Sequence, residues 1–221
     1  MKFYCLNLPR AVDRRAQMQR LWTEERGFEL EFFPAVDRRD IAAGAFPLPY
    51  DPAAARSRCG RELTPGEVAC ATSHHLLLRH ALAAGHTEIV VMEDDILPAA
   101  HTTPPAVNAA IQSALTTFPR LGVLILHEAL QPVRAWETRG DTALLAEPPF
   151  GFCCVWLNAR AMELLARDLA TLCYPADWLW TRRFAPMKTV AMTTTPFCTH
   201  DGKDSYIGNS SAGPQARRFI P

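Results

Sequence analysis

Residues 89–95 read Ile-Val-Val-Met-Glu-Asp-Asp, an apolar run that stops on the consecutive acids Glu93, Asp94 and Asp95. A short apolar run of this kind is the pattern of a strand buried in a sheet. In open α/β sheets, ligands gather outside the carboxyl ends of the strands. Acids placed there deliver hard oxygen donors for a divalent cation beside a bound nucleotide, which points to metal-assisted transfer chemistry. The competing reading is structural, because Asp is a preferred helix N-cap, although Pro98 follows almost at once. Adjacent acids also repel, which raises the pKa of at least one of them unless a cation or an arginine neutralises the cluster.

The elements around this strand alternate. Residues 2–8 read as a first buried strand, residues 11–26 have helical spacing with Met18, Leu21 and Trp22 on one side, and residues 28–33 form a short second strand. Thr64-Pro65-Gly66-Glu67 opens a helix that runs to about residue 84, with Thr64 suited to the N-cap, Pro65 to the first turn and Glu67 to a capping box. After the acids come a helix over 104–117, a strand over 121–126, short strands over 143–147 and 152–157, a helix over 159–169 and a late strand over 188–193. This alternation predicts an α/β fold, a mainly parallel Rossmann-like sheet flanked by helices. With no internal repeat or low-complexity linker, residues 1–221 read as a single domain with a nucleotide half, about 1–95, and an acceptor half, about 96–221. Residues 38–63 are rich in Pro, Gly and Arg and read as a long loop, functional or mobile. Residues 40–62, with Arg56, Arg58 and Arg61, and the segment 199–211 are expected to close as lids on a bound diphosphate.

Composition narrows the partners. The 221 residues are 48% hydrophobic, enough for a sizeable core, and exclude the disordered class. The 23 basic and 23 acidic side chains balance, so no net field holds nucleic acid or an anionic bilayer non-specifically. The 7 cysteines include no C-x-x-C pair and no zinc-type spacing with histidine, which suggests a reduced, cytoplasmic compartment. The N-terminus does not read as a signal peptide, and no apolar run is long enough to span a membrane. Any membrane contact is expected to be peripheral, at the inner face, with Arg217-Arg218-Phe219-Ile220 as a small basic and apolar candidate, against the favoured reading of those four residues as a frayed tail.

The ordered blocks of this chain resemble glycosyltransferase family 25, the lipooligosaccharide galactosyltransferases and their collagen-modifying relatives. The resemblance rests on Cys5-Leu6-Asn7-Leu8 followed by Arg10, Arg14, Arg15 and Met18; on Phe33-Pro34-Ala35-Val36-Asp37; on residues 63–74, which end in Thr72-Ser73-His74; and on Val91-Met92-Glu93-Asp94-Asp95. It implies a GT-A type fold, a UDP-sugar donor, typically UDP-galactose, a Mn²⁺ or Mg²⁺ cofactor and inverting transfer of a hexose to a glycan hydroxyl. The acceptor would be a lipooligosaccharide or lipopolysaccharide core, which can be lipid-linked.

Specific residues take roles from that resemblance. Asn7, Leu8 and Arg10, at the end of the first strand, would meet the base and ribose, and Arg14 would reach a phosphate from the following helix, against the plain reading of a solvated arginine. Asp37 would bind ribose hydroxyls or serve only as a turn residue. Ser73 and His74 would face the donor if their helix packs against the acid-bearing strand. Glu93-Asp94-Asp95 resembles the D-x-D metal motif, with Asp95 and Asp94 as metal ligands and Asp94 or Glu93 on the ribose or donor sugar. A cation there would stabilise the charge on the leaving nucleoside diphosphate. Asp177, in Tyr174-Pro175-Ala176-Asp177-Trp178, is the candidate base that deprotonates the acceptor, with helix capping as its structural alternative and Glu128 and Asp141 as weaker rivals. Trp178 and Trp180 would stack on sugar faces or belong to the core. His200 is a candidate late metal ligand, and Ser205 a donor-phosphate contact. Two other classes compete: a glycan- or nucleotide-binding adhesion protein on the same fold, and a nucleotidyltransferase, which the lack of a Gly-rich phosphate loop disfavours.

Overall fold

The computed structural model describes residues 1–45, 47–129 and 131–201. Its strands are β1 (Lys2–Asn7), β2 (Leu30–Pro34), β3 (Glu88–Glu93), β4 (Ile96–Pro98), β5 (Val123–Ile125), β6 (Arg134–Arg139), β7 (Thr142–Glu147), β8 (Cys154–Asn158), β9 (Val190–Thr193) and β10 (Cys198–His200). Its helices are α1 (Val12–Met18), α2 (Arg38–Ala42), α3 (Pro52–Cys59), α4 (Pro65–Ala83), α5 (Pro104–Thr117) and α6 (Ala159–Asp168). An 8-stranded sheet has the order β2-β1-β3-β8-β5-β9-β7-β6, and a separate ribbon pairs β10 with β4. β8 is antiparallel to both β3 and β5, and β7 to both β9 and β6, while the other strands share one direction. The expected α/β class and mainly parallel sheet are present.

Strand alternation divides the core into two layers. Tyr4, Leu6, Ile89, Val91, Val155 and Leu157 point to the face covered by α4 and α6, which contribute Leu77, Leu78, Met162 and Leu165. Phe3, Cys5, Val90, Met92, Cys154 and Trp156 point to the opposite face, where Met18, Trp22, Val107 and Ile111 pack. Both faces of β3 are thus covered, which is why its sequence is apolar at successive positions rather than at alternate ones.

The structure corrects the sequence reading in several places. The helix expected over 11–26 ends as α-helix at Met18 and continues as a π-helical segment, Gln19–Glu24, that seats Trp22 in the core. The stretch 38–63 is not one long loop: it holds α2 and α3, capped by the side chains of Asp37 and Asp51. α3 begins with Pro52 in its first turn and stops at Gly60, which takes the left-handed φ of 75°. The arginines of α3 and of the turn after it are engaged within the fold, Arg56 with Glu62, Arg58 with the Cys173 sulfur, and Arg61 with Glu67. They are therefore not held ready for a diphosphate, and the lid over 40–62 is withdrawn. Most of the companion segment 199–211, including Ser205, lies outside the described residues. The exposed strand β6 and the β4–β10 ribbon were not anticipated.

The start of α4 follows the capping signature. Thr64 Oγ1 accepts from the Glu67 N–H at 3.2 Å, and the Glu67 carboxylate accepts from the Thr64 N–H at 2.8 Å. Arg61 holds the same carboxylate with both terminal nitrogens, at 2.6 and 2.8 Å. Thr64→Ala should cost about 1 kcal/mol and lower the thermal midpoint by about 2–4 °C. An unchanged midpoint by calorimetry would show that Arg61 alone fixes this turn.

Candidate active site

The sheet delivers its polar residues to one edge. β1 and β3 are parallel neighbours, with Leu6 in register with Glu93, so Asn7 emerges beside the acids. Asn7 Nδ2 donates to Asp94 Oδ2 at 2.7 Å, and Arg14 Nη1, from α1, donates to Asp94 Oδ1 at 3.0 Å and Asp95 Oδ2 at 3.3 Å. Arg14 is buried, so it is neither a solvated helix arginine nor a side chain reaching freely into solvent. The strand that ends in acids is electrostatically tolerable because a guanidinium and an amide are packed against it.

The acids differ in environment. Burial raises the carboxyl pKa of Asp94, with hydrogen bonds from Asn7 and Arg14 acting against the rise. For Asp95, burial and then the Glu93 charge push the value up to about 6, with His200 and Arg14 opposing. Burial also works against charge on Glu93, but the neighbouring His74 ring, joined by His127 and His200, lowers this carboxyl's pKa. His200 reaches Asp95 through the ribbon: it pairs in register with Ile96, its Nε2 lies 3.2 Å from Asp95 Oδ2, and the Asp201 N–H donates to the Asp95 carbonyl at 2.8 Å. Asp95 Oδ1 is buried and has no hydrogen-bond partner among the described residues. A carboxylate oxygen left without a donor, beside an imidazole, fits a divalent cation held by oxygen and nitrogen ligands.

Asp94, Asp95 and Glu93 line a pocket together with Leu8, Arg14, Val36, Arg38, Cys70, Ser73 and His74. α4 packs against the acid-bearing strand, the condition required for Ser73 and His74 to take part. Ser73 Oγ donates to the Ala69 carbonyl at 2.7 Å and accepts the Val36 N–H at 2.8 Å, so it ties the β2 exit to α4. His74 is wholly buried, lies against Phe152 with ring centroids 3.8 Å apart, and places Nε2 3.5 Å from Glu93 Oε1. Arg10 and Asp37 come together at 2.5 Å, and Asp37 also accepts from the Arg39 side chain and backbone while capping α2. Burial alone would raise the Asp37 carboxyl, but the bonds from Arg10 and Arg39 hold it far below the usual carboxylate range. The turn reading of Asp37 therefore accounts for its bonds within the fold. Arg38 and Cys70 enter the pocket lining without having been singled out. Cys70 is visible in retrospect as the residue one helical turn before His74.

Asp177 is not part of that lining, but it is near enough for the Glu93 charge to act on it. Its Oδ2 accepts the Gly151 N–H at 2.9 Å, and no side-chain cap bond forms at the π-helical segment Trp180–Phe184 that follows. The capping alternative is thus replaced by a bond to Gly151. That residue has φ 110°, a conformation side chains disfavour, and its carbonyl accepts Trp180 Nε1 at 3.0 Å. Burial, and after it the Glu93 charge, lifts Asp177 to about 6. Trp180 is fully buried and belongs to the core rather than to a sugar platform, whereas Trp178 is partly exposed. Glu128 and Asp141 are both exposed, Asp141 at the β6–β7 turn.

Comparison with known proteins shows which sequences this chain is similar to. Residues 1–109 match the family described as "Glycosyltransferase family 25 (LPS biosynthesis protein)". A glycosyltransferase 25 family member of Drosophila pseudoobscura pseudoobscura is 31% identical over 235 aligned residues, covering 96% of this chain and 37% of the relative. One from Drosophila melanogaster is 31% identical over 236, covering 97% and 38%. The chain thus spans less than half the length of these relatives. A crystal structure of a glycosyltransferase involved in glycosylation of the major capsid of PBCV-1 superposes with a TM-score of 0.47 at 11% identity, over 93% of this chain and 94% of that one. With its first half matching the family directly and nearly all of its length aligned to the fly proteins, the chain belongs to glycosyltransferase family 25.

Proposed function

We propose that the protein is a metal-dependent, inverting hexosyltransferase that moves galactose from UDP-galactose to a hydroxyl of a glycan, in the lipopolysaccharide biosynthesis named in the family description. The observation that carries this reading is Asp95, a buried acid with one oxygen unpartnered, set beside His200 at the edge of the pocket between β3 and α4. Asp95 and His200 would hold Mn²⁺ or Mg²⁺. When bound, the cation supplies charge stabilisation to the departing diphosphate. Both oxygens of Asp94 are engaged by Asn7 and Arg14, so its role is to fix those side chains beneath the donor. Arg38, exposed at the pocket rim, is placed to meet the diphosphate, and Leu8 and Val36 offer apolar surface to the base. Asp177 takes the proton of the attacking hydroxyl. Its value of about 6 leaves it mostly ionised at neutral pH yet more basic than an ordinary carboxylate. Among the described residues no helix is long and apolar enough to cross a membrane; a lipid-linked acceptor would be met by peripheral contact at the cytoplasmic face.

Asp95→Asn should lower turnover by about 100-fold or more and abolish its dependence on added Mn²⁺. The same variant should be more stable than the parent in metal-free buffer at pH 7. A folded-state value raised to about 6 means that the native protein binds more protons than the unfolded chain between about pH 4 and 6, and stability falls as pH rises through that window. Asn does not titrate, so the difference, roughly 3 kcal/mol at most, should vanish below about pH 4. Parental rate and metal dependence in a folded Asp95→Asn would remove the metal assignment.

The turnover number should rise as pH passes through about 6, where Asp177 loses its proton. Asp177→Asn should flatten that limb and slow transfer by about 10²–10⁴ while leaving UDP affinity by calorimetry unchanged. Loss of UDP binding instead would move Asp177 to the donor side.

A further inference from the structure

Cys70 and His74 stand one turn apart on α4 and face the end of β3, where Glu93 meets them. One ligand atom from each, the Cys70 sulfur, a His74 ring nitrogen and a Glu93 carboxylate oxygen, lies within 4.8 Å of the other two. The His74 Nε2 to Glu93 Oε1 separation is 3.5 Å, longer than a strong hydrogen bond. Ligands of tetrahedral Zn²⁺, at about 2.3 Å for sulfur and about 2.0–2.1 Å for nitrogen and oxygen, are separated by about 3.3–3.7 Å. The His74–Glu93 pair already has that spacing, the Cys70 sulfur lies within 4.8 Å of both, and side-chain adjustment would draw the three onto one ion, with the His74 ring packed against Phe152.

We propose that Cys70, His74 and Glu93 form a zinc site, separate from the oxygen-rich position at Asp95 and His200, with its fourth coordination position open to the pocket. The ligand set favours zinc over Mn²⁺ or Mg²⁺. A thiolate and an imidazole suit a borderline ion, whereas the harder ions prefer carboxylates and water. A thiolate and a carboxylate together also neutralise a divalent charge. Access favours it as well, because the other cysteines, Cys5, Cys59, Cys153, Cys154, Cys173 and Cys198, are buried and Cys70 is not. On binding, the Cys70 S–H bond breaks, its proton passes to the buffer and the sulfur–zinc bond forms. The site requires no nucleotide, so it stands or falls independently of the transferase reading.

The test uses the full chain with Co²⁺ alone as a spectroscopic probe and Zn²⁺ alone as competitor. Co²⁺ should give a thiolate-to-cobalt charge-transfer band and the intense visible bands of tetrahedral coordination, and Zn²⁺ should bleach both. The charge-transfer band should persist in Asp95→Asn. It should be absent in Cys70→Ser, whose zinc affinity should fall by at least about 100-fold, no less than the loss of a supporting ligand partner costs. In the unaltered protein, Zn²⁺ should slow alkylation of Cys70, mapped by mass spectrometry, without any substitution that affects folding. A band that survives Cys70→Ser, a band lost in Asp95→Asn, no thiolate band at all, or alkylation of Cys70 at an unchanged rate with Zn²⁺ would each overturn the site.

Discussion

The buried negative charge at the end of β3 is the constraint around which the rest of this molecule is arranged. Carboxylates cannot sit below the surface at that density without counter-charge, and removing a single partner from a buried ion pair typically costs about 3–5 kcal/mol. The fold supplies the partners from elements far apart in sequence: Asn7 from β1, Arg14 from α1, His74 from α4 and His200 from β10. Each of these elements is held by its own apolar packing, so the positions of the charges follow from the two core layers. Electrostatics at the sheet edge then tests whether the layers are in register.

The compensation is uneven, and the unevenness is chemically informative. Asp94 is satisfied on both oxygens, while its neighbour Asp95 keeps one oxygen buried and unpartnered. Adjacent acids pushed into different electrostatic environments are how a site separates a scaffolding acid from a working one. A sequence selected only for stability would have paired that oxygen or replaced the residue. Its retention is the local rule-breaking that functional sites show against an otherwise consistent fold.

What could be read from the chain was what is local. The capping box at Thr64, the apolar run before Glu93 and the helical spacing of Met18 and Trp22 all come from neighbours in sequence, and all correspond to elements of the fold. α3 escaped because its Ala- and Arg-rich sequence has no apolar stripe, although Asp51-Pro52 and Gly60 punctuate it at both ends. β6 escaped because it is exposed along its whole length. At the site, the acids and His200 were identifiable by residue type. The contact of Arg14 with Asp94, across 80 residues, and the convergence of Cys70, His74 and Glu93 depend on how α1 and α4 pack, which no local pattern encodes.

The placement of β8 has a further consequence, for the order in which the chain can fold. β1, β2 and β3 can pair as soon as about the first hundred residues exist, but the second edge of β3 is closed only by β8, from residues 154–158. Until then a long, apolar strand edge lies open, the kind of surface that invites pairing with another chain. β5 is in turn joined to the sheet through β8 and β9, both later in sequence. Such non-local closure slows folding and prolongs exposure of aggregation-prone intermediates. A fragment ending where the family match ends, at residue 109, would retain the acid-bearing strand and lose what shields it.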